Sequence, residues 1–388
     1  MMDRNYIPTP SGPPQYAMRS SNTSALKIVL AVFGAMVAAF LGLIVLLLIG
    51  VEAGPVGLLV GMICACLPVP IYVMLLLWID RYESEPLWML ITAFLWGALV
   101  AVLIALVLNT SVMIFSAVAT HSAQIGEAMG AVISAPIVEE SAKAFILFVF
   151  FFFKKDEFDG IIDGIVYAGM VALGFAMTEN IVYYGRALVG GGVGVLTFTV
   201  ILRGLVGPFS HPLFTSMTGI GLGWSRQSDN GFIKVTMPVV GFMLAILLHA
   251  TWNGSVTFGG GAGFVIAYLM IMAPAFVGTL MTIVFSLRRE GRIVREFLYP
   301  DCQSGLFPQQ EYEKLCSVRG RMGMSWNMFW NRGFSVWRVR MRRNQIASEL
   351  AFHRSRVARG FVSSPHAAQE RERSYQQMLD ELRRRLGT

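Results

Sequence analysis

Apolar residues in this chain come in long runs. Eight stand out, at roughly 26–50, 56–79, 88–108, 129–153, 161–187, 192–222, 232–256 and 264–287. Each has about the 18 or more residues that a helix needs to cross a bilayer core. The pattern predicts an all-α, polytopic membrane bundle of about eight transmembrane helices. The sixth run contains Pro208 and Pro212 and reads as a broken helix, or a short one after a re-entrant piece.

The polar flanks set an expected orientation. Lys and Arg near helix ends favour the cytoplasmic side. Arg4, Arg19 and Lys27 precede the first run. Alternate loops then carry Arg81, Lys154 with Lys155, and Arg226 with Lys234, whereas the opposite loops hold Arg186. Arg288, Arg289, Arg292 and Arg295 follow the last run. Eight crossings with both termini cytoplasmic satisfy this bias, in a multi-pass protein of the plasma membrane. Residues 1–25 are rich in Pro, Ser and Asn and read as a disordered cytoplasmic N-terminus. The run after them is too long for a signal-peptide core and ends without an A-x-A-like site.

Composition agrees with the pattern. Hydrophobic residues make up 55% of the chain and charged ones 14%, with a mean hydropathy of +0.60. A soluble domain carries nearer a quarter charged. The net +7 belongs to the C-terminal part, since residues 288–388 hold 20 Lys and Arg against 10 Asp and Glu. The expected division is a membrane domain over 26–287 and a basic cytoplasmic tail over 288–388. Cys64, Cys66, Cys302 and Cys316 lack zinc spacing and are expected as free thiols.

Ionisable residues at bilayer depth are costly and therefore informative. The fourth run carries Glu139, Glu140 and Lys143. The fifth carries Asp163 near its start and Glu179-Asn180 deeper, the sixth Arg203 and His211, and the seventh His249, Trp252 and Asn253. Spacings of three or four put Glu139 and Glu140 near Lys143, Phe175 near Glu179, and His249 near Asn253 on shared helix faces. A polar centre shared by four helices follows. A lone Glu–Lys pair is as readily a helix clamp, but so many costly groups on four helices argue for chemistry.

These residues, Glu-Glu-x-x-Lys, Phe-x-x-x-Glu-Asn, a His in the sixth run and His-x-x-Trp-Asn, resemble the PrsW family of intramembrane proteases. That family is related to the CAAX-prenyl protease and bacteriocin-immunity superfamily. Asp-Arg-Tyr-Glu-Ser-Glu-Pro-Leu-Trp at 80–88 and Asp-Gly-Ile-Val-Tyr at 163–167 extend the resemblance, which covers roughly residues 70–287. It implies a peptidase-like domain over 26–287 that cuts a membrane protein near or within the bilayer. In the best-known members the substrate is an anti-sigma factor.

Hydrolysis of a peptide needs an activated water, an oxyanion stabiliser and a proton for the leaving amine. Glu139 or Glu140 is the expected base. Neighbours on a helix point about 100° apart, so one Glu holds water while the other pairs with Lys143 or braces a neighbouring helix. Glu179 helps hold the water or tunes the base, His249 and Asn253 face the oxyanion, and His211 is an alternative donor or shuttle. Lys143 reads as structural, Arg203 as a substrate or Glu partner, and Asp163 equally as a helix cap. No cofactor is expected. The rival reading has zinc on Glu139, Glu140, His211 and His249. Proton-coupled transport and a non-catalytic scaffold are the other classes, although no inverted repeat is evident.

Counting along the helices puts Glu139 about 16 Å into its run, with Glu179 and His249 near their outer ends. The expected site lies in the outer half of the bilayer. His211 falls too far inward on this count unless the prolines break its helix. In the tail, Trp326, Phe329, Trp330, Phe334 and Trp337 among arginines over 319–343 suggest an interfacial segment on anionic lipid, or the surface of a small tail domain. Nucleic-acid binding is not favoured. Residues 366–386 suggest an amphipathic helix for self-association.

Overall fold

The computed structural model describes residues 25–207, 209–360 and 364–386. The expected disordered N-terminus lies almost wholly outside them, as does Pro208 itself. The described chain is helical with no strand. Its α-helices are α1 (Ala25–Cys66), α2 (Val69–Ile79), α3 (Leu87–Leu95), α4 (Val102–Thr120), α5 (Ala123–Ala128), α6 (Ala135–Phe153), α7 (Ile161–Ile201), α8 (Ser210–Gln227), α9 (Gly231–Phe258), α10 (Gly260–Ala267), α11 (Ala273–Gln303), α12 (Gln309–Leu315), α13 (Val318–Ala358) and α14 (Pro365–Leu386). Four π-helical segments interrupt them, at Trp96–Ala101, Met129–Ser134, Leu202–Val206 and Tyr268–Met272.

The chain divides into two units, residues 1–44 and 45–388. The first contributes the helical residues from Ala25 onward.

Among the described residues, five helical stretches are long and apolar enough to cross a membrane: Val32–Ile79, Leu87–Thr120, Ile161–Gly204, Gly231–Phe258 and Gly260–Gln303. The first and third have 48 and 44 residues, about twice a bilayer span at 1.5 Å per residue. Each is broken by a glycine with positive φ, Gly54 (69°) and Gly192 (67°). α6 is a helix of 19 residues whose two glutamates and lysine keep it out of that group.

The run at 88–108 continues to Thr120 in α4, and the break expected within 192–222 is present. The run at 192–222 is two pieces, because the helix ends in the π-helical Leu202–Val206 and restarts at Ser210. Pro212 sits in the first turn of α8, where a missing N–H costs nothing. The last apolar run continues past 287, as α11 extends to Gln303. Its hydrophobic face there packs on the tail, so the helix outlasts its lipid-like composition.

α7 is the central helix, buried on nearly every side between Ile162 and Gly185. Glycines allow this closeness. A Cβ on Gly164 would lie 2.1 Å from the carbonyl oxygen of Gly219 in α8, and one on Gly174 would lie 2.1 Å from that of Phe94 in α3. These glycines are packing residues, as small-residue contacts in membrane helices usually are.

The loops bearing Arg81, Lys154 and Arg226 gather at one end of the bundle with the tail. Arg226 donates to the carbonyls of Phe151 and Phe158. Arg321 donates to the carbonyl of Arg81 and lies over the Tyr82 ring. Arg356 pairs with Glu83 and Asp159. Leu298, Phe307, Leu350 and Leu379 share one hydrophobic core with Ile79, Tyr82 and Phe158. α13 breaks at Gly333 (φ 81°) and folds back, so that Arg321 reaches Asn344 and Arg340 reaches Met324. Trp326, Trp330 and Phe334 stay exposed near that turn. All four cysteines are unpaired.

Candidate active site

Four helices converge on the middle of the bundle. α6 supplies Glu139, Glu140 and Lys143, α7 supplies Glu179 and Asn180, α8 supplies His211 and Thr215, and α9 supplies His249. Arg203 comes from the π-helical turn before α8.

The Lys143 ammonium is fully buried at the centre. It lies 3.0 Å from Glu140 Oε1, 3.3 Å from Glu139 Oε2 and 3.2 Å from His211 Nδ1. It also stands 3.8 Å from the centroid of the Phe175 ring. An ammonium only donates, so His211 Nδ1 accepts. His211 Nε2 then carries the proton and donates to Glu179 Oε2 at 2.9 Å. Glu179 also accepts from Arg203 Nη2 at 2.6 Å, and Arg203 Nε donates to Asn180 at 2.6 Å.

The two adjacent glutamates differ. Glu140 is wholly buried and accepts from Lys143, from the Thr215 hydroxyl at 2.8 Å and from His249 Nδ1 at 3.1 Å. Its oxygens are used up in joining α6, α8 and α9. The Glu139 side chain keeps 8% of its surface exposed. Beyond Lys143, its partner is the Asn109 amide at 3.4 Å. His249 Nε2 faces Glu139 Oε2 across 3.8 Å, a gap too long for a direct hydrogen bond. The 100° offset between neighbours is what separates the two roles.

Asn253 and Trp252 stand beside this centre. The Asn253 amide donates to the carbonyl of Ala131 at 2.8 Å, tying α9 to the π-helical approach to α6. Trp252 packs against Phe214, whose ring stacks on His249 at 5.1 Å. Asp163 is at the other end of α7, sixteen residues and about 24 Å from Glu179. There Asp163 Oδ2 accepts from the backbone N–H of Asp159 and Gly160 at 2.8 and 2.6 Å, which is the helix-cap role.

His211 belongs to the centre despite the count that placed it too far inward. That count ran one unbroken helix through 192–222, whereas the break before Ser210 re-aims α8. Two residues escaped the sequence reading. Asn109 of α4 joins Glu139 to Ser134, which donates to it at 2.8 Å. Asn109 stands just past the apolar run at 88–108, where the pattern ends although α4 continues. Thr215 carried no signal, since threonines in membrane helices ordinarily bond their own backbone.

Comparisons with known proteins bear on the family. The sequence model described as PrsW family intramembrane metalloprotease matches residues 85–279. Protease PrsW of Geobacillus kaustophilus is 38% identical over 176 residues, covering 45% of this chain and 69% of that protein. Protease PrsW of Oceanobacillus iheyensis is 30% identical over 206 residues, covering 53% and 85%. Protease PrsW of Bacillus subtilis is 30% identical over 175 residues, covering 45% and 72%. No solved structure matches.

Glu139, His211 and His249 offer ligand atoms within 4.8 Å of one another, and two His with a carboxylate is a catalytic zinc set. Glu139 and His211, however, already contact the buried Lys143 ammonium, and both ring nitrogens of His211 are engaged. A dication on these atoms would sit beside that ammonium and displace its bonds. The arrangement fits one buried monovalent cation and does not fit a dication. With the match spanning half of the chain and the polar centre of four of its helices, this chain belongs to the PrsW family of intramembrane proteases.

Proposed function

We propose that this protein hydrolyses a peptide bond of a single-span membrane protein, anti-sigma-factor-like or other, using a water activated by Glu139 and no metal. The observation that carries the reading is the 3.8 Å gap between Glu139 Oε2 and His249 Nε2, beside the one glutamate of the pair that keeps exposed surface. Such a gap suits one bridging water. Glu139 takes a proton from that water as its oxygen attacks the carbonyl carbon. The negative charge passes to the carbonyl oxygen, where the Nη1 of Arg203, held by Glu179 and Asn180, is a suitable donor. The C–N bond then breaks, and Glu139 returns the proton to the leaving amine. The products are a carboxylic acid and an amine, and Glu139 is regenerated.

Glu140 and Lys143 hold Glu139 and His249 in place, while Glu179 fixes the His211 tautomer. The expected setting is the plasma membrane, with the loops at Arg81, Lys154 and Arg226 and the basic tail on the cytoplasmic side, against anionic lipid. A zinc-dependent reaction is the second reading: Glu139, His211 and His249 offer the ligand atoms, but it requires the Lys143 ammonium to leave Glu139 and His211.

The test is cleavage of a panel of single-span substrates by purified protein in liposomes. Loss of the cut in Glu139→Gln and His249→Ala, with less than about a twofold change after exhaustive chelation, is the expected outcome. A cut abolished by chelator and restored by zinc would replace this reading with the second. Normal cleavage by Glu139→Gln would end both.

A further inference from the structure

An apolar cleft of about 150 Å³ adjoins the candidate active site. Phe209, Leu213, Trp252, Tyr268, Met272 and Phe276 line it. Its position relative to the charged centre follows from two helices. Ser210 and Leu213 face the cleft from the first turn of α8, and His211 between them turns to Lys143 and Glu179. On α9, Trp252 follows His249 by one turn. Phe214 is the shared partition, touching Trp252 on one side and stacking on His249 on the other. The cleft and the water-holding pair are thus two faces of one wall.

The wall opposite is built irregularly. Tyr268 and Met272 are the first and last residues of a π-helical segment. Such bulges recur at functional sites because they re-aim side chains. Gly207 closes the cleft's end where the backbone leaves helical geometry, and a Cβ there would come within 3.3 Å of the Trp252 ring. Phe209 and Val277 at the rim are exposed on the apolar flank of the bundle. A substrate that is itself a membrane segment reaches a buried centre from that side.

Size and chemistry identify the occupant. An apolar cavity of about 150 Å³ takes one benzene-sized group. We infer that this cleft receives one bulky apolar side chain, Leu, Met or Phe, of the substrate residue next to the cleaved bond. The inference rests on the proposed hydrolysis. It makes Leu213, Met272 and Phe276 specificity-determining residues rather than catalytic ones.

The experiment uses the full chain in liposomes. The probes are single-span Leu/Ala peptides whose juxtamembrane stretch carries Ala, Leu, Phe or Trp at one varied position. The expected result is at least about a tenfold preference in kcat/KM for Leu or Phe over Ala at one position beside the cut. Met272→Trp, which fills the cleft, should erase that preference by lowering kcat/KM for the Leu and Phe peptides to the level of the Ala peptide. Phe276→Ala, which enlarges the cleft, should admit Trp. A preference unchanged in both variants overturns the inference, as does an equal fall on every peptide. A second readout does not need turnover: Glu139→Gln protein is cross-linked to a peptide carrying photo-leucine at the same position. Labelling of Leu213, Met272 or Phe276 is expected. Cleavage by the wild type without that labelling overturns the cleft assignment alone, whereas labelling without cleavage overturns the hydrolysis and leaves the cleft standing. If a photoreactive lipid labels these residues undiminished by peptide, the cleft is a lipid site and the inference fails.

Discussion

The two ends of α7 each bury a group of carboxylates, and the partners of those carboxylates differ. At one end, Asp163 accepts from two backbone N–H groups, Asp80 from the N–H of Glu85, Glu85 from the Tyr167 hydroxyl, and Glu83 from Arg356. These partners fasten loops and tail to the helix. About 24 Å away, Glu139, Glu140 and Glu179 meet an ammonium and two imidazoles drawn from three other helices. An imidazole ring can donate at one nitrogen and accept at the other, and one Glu139 oxygen still faces a gap. Buried charge alone does not mark a site. The kind of partner, and room for a water, do.

The sharpest way to break this contrast is to neutralise one carboxylate at each end. Glu139→Gln should lower cleavage by about 10²–10⁴-fold, the size of a lost general base. Its melting temperature in detergent should barely move. Asp163→Asn should do the reverse, with cleavage within about threefold and a lower melting temperature. Equal effects on both quantities would erase the distinction.

Within the centre, the two adjacent glutamates should separate by stability. Glu140→Ala strands Lys143 and the Thr215 hydroxyl and should cost about 3–5 kcal/mol, as breaking a buried ion pair does. Glu139→Ala should cost clearly less, because its oxygens make fewer and longer contacts. Denaturant unfolding in mixed micelles measures both.

At the tail junction a smaller effect is expected. Arg356→Ala removes the partner of Glu83 and Asp159 and should cost about 1–2 kcal/mol, the range for hydrogen bonds to charged groups. Hydrogen exchange over residues 80–86 should rise, and cleavage should stay within about twofold. A large loss of cleavage would show that the fastening end is coupled to the chemistry.

The smallest effect concerns pH. Burial pushes the Glu83 carboxyl up to about 8 despite its Arg356 partner, and burial raises Asp80 and Glu85 in the same direction. An acid raised on folding binds protons more tightly in the folded state. Its contribution is therefore full below its ordinary value near 4.5 and is lost as pH rises through about 8. Protection of residues 80–86 should fall gradually from pH 5 to pH 8. A rise over that range would reverse the assignment.

Much of the candidate site was legible because charge at bilayer depth is rare. Glu139, Glu140, Lys143, Glu179, Arg203, His211 and His249 stood out against apolar runs, and helical spacing put them on few faces. The division of labour between Glu139 and Glu140 was not legible, since both lie on the same turn and only the neighbours from α8 and α9 distinguish them. Helix counting misplaced His211, because residue counts assume a continuous axis and the π-helical turn at 202–206 breaks it. The fold-back at Gly333 had no sequence cue beyond one glycine among many.

The sequence by itself determined a membrane-embedded helical protein, its family and the set of groups available for proton chemistry, because hydropathy and helical period are local properties of the chain. Tertiary structure alone decided which glutamate keeps an open face, which imidazole nitrogen donates, that Asn253 ties helices together, and that a side-chain-sized cleft shares a wall with His249. Those outcomes depend on distances between helices far apart in sequence, and no local pattern encodes them.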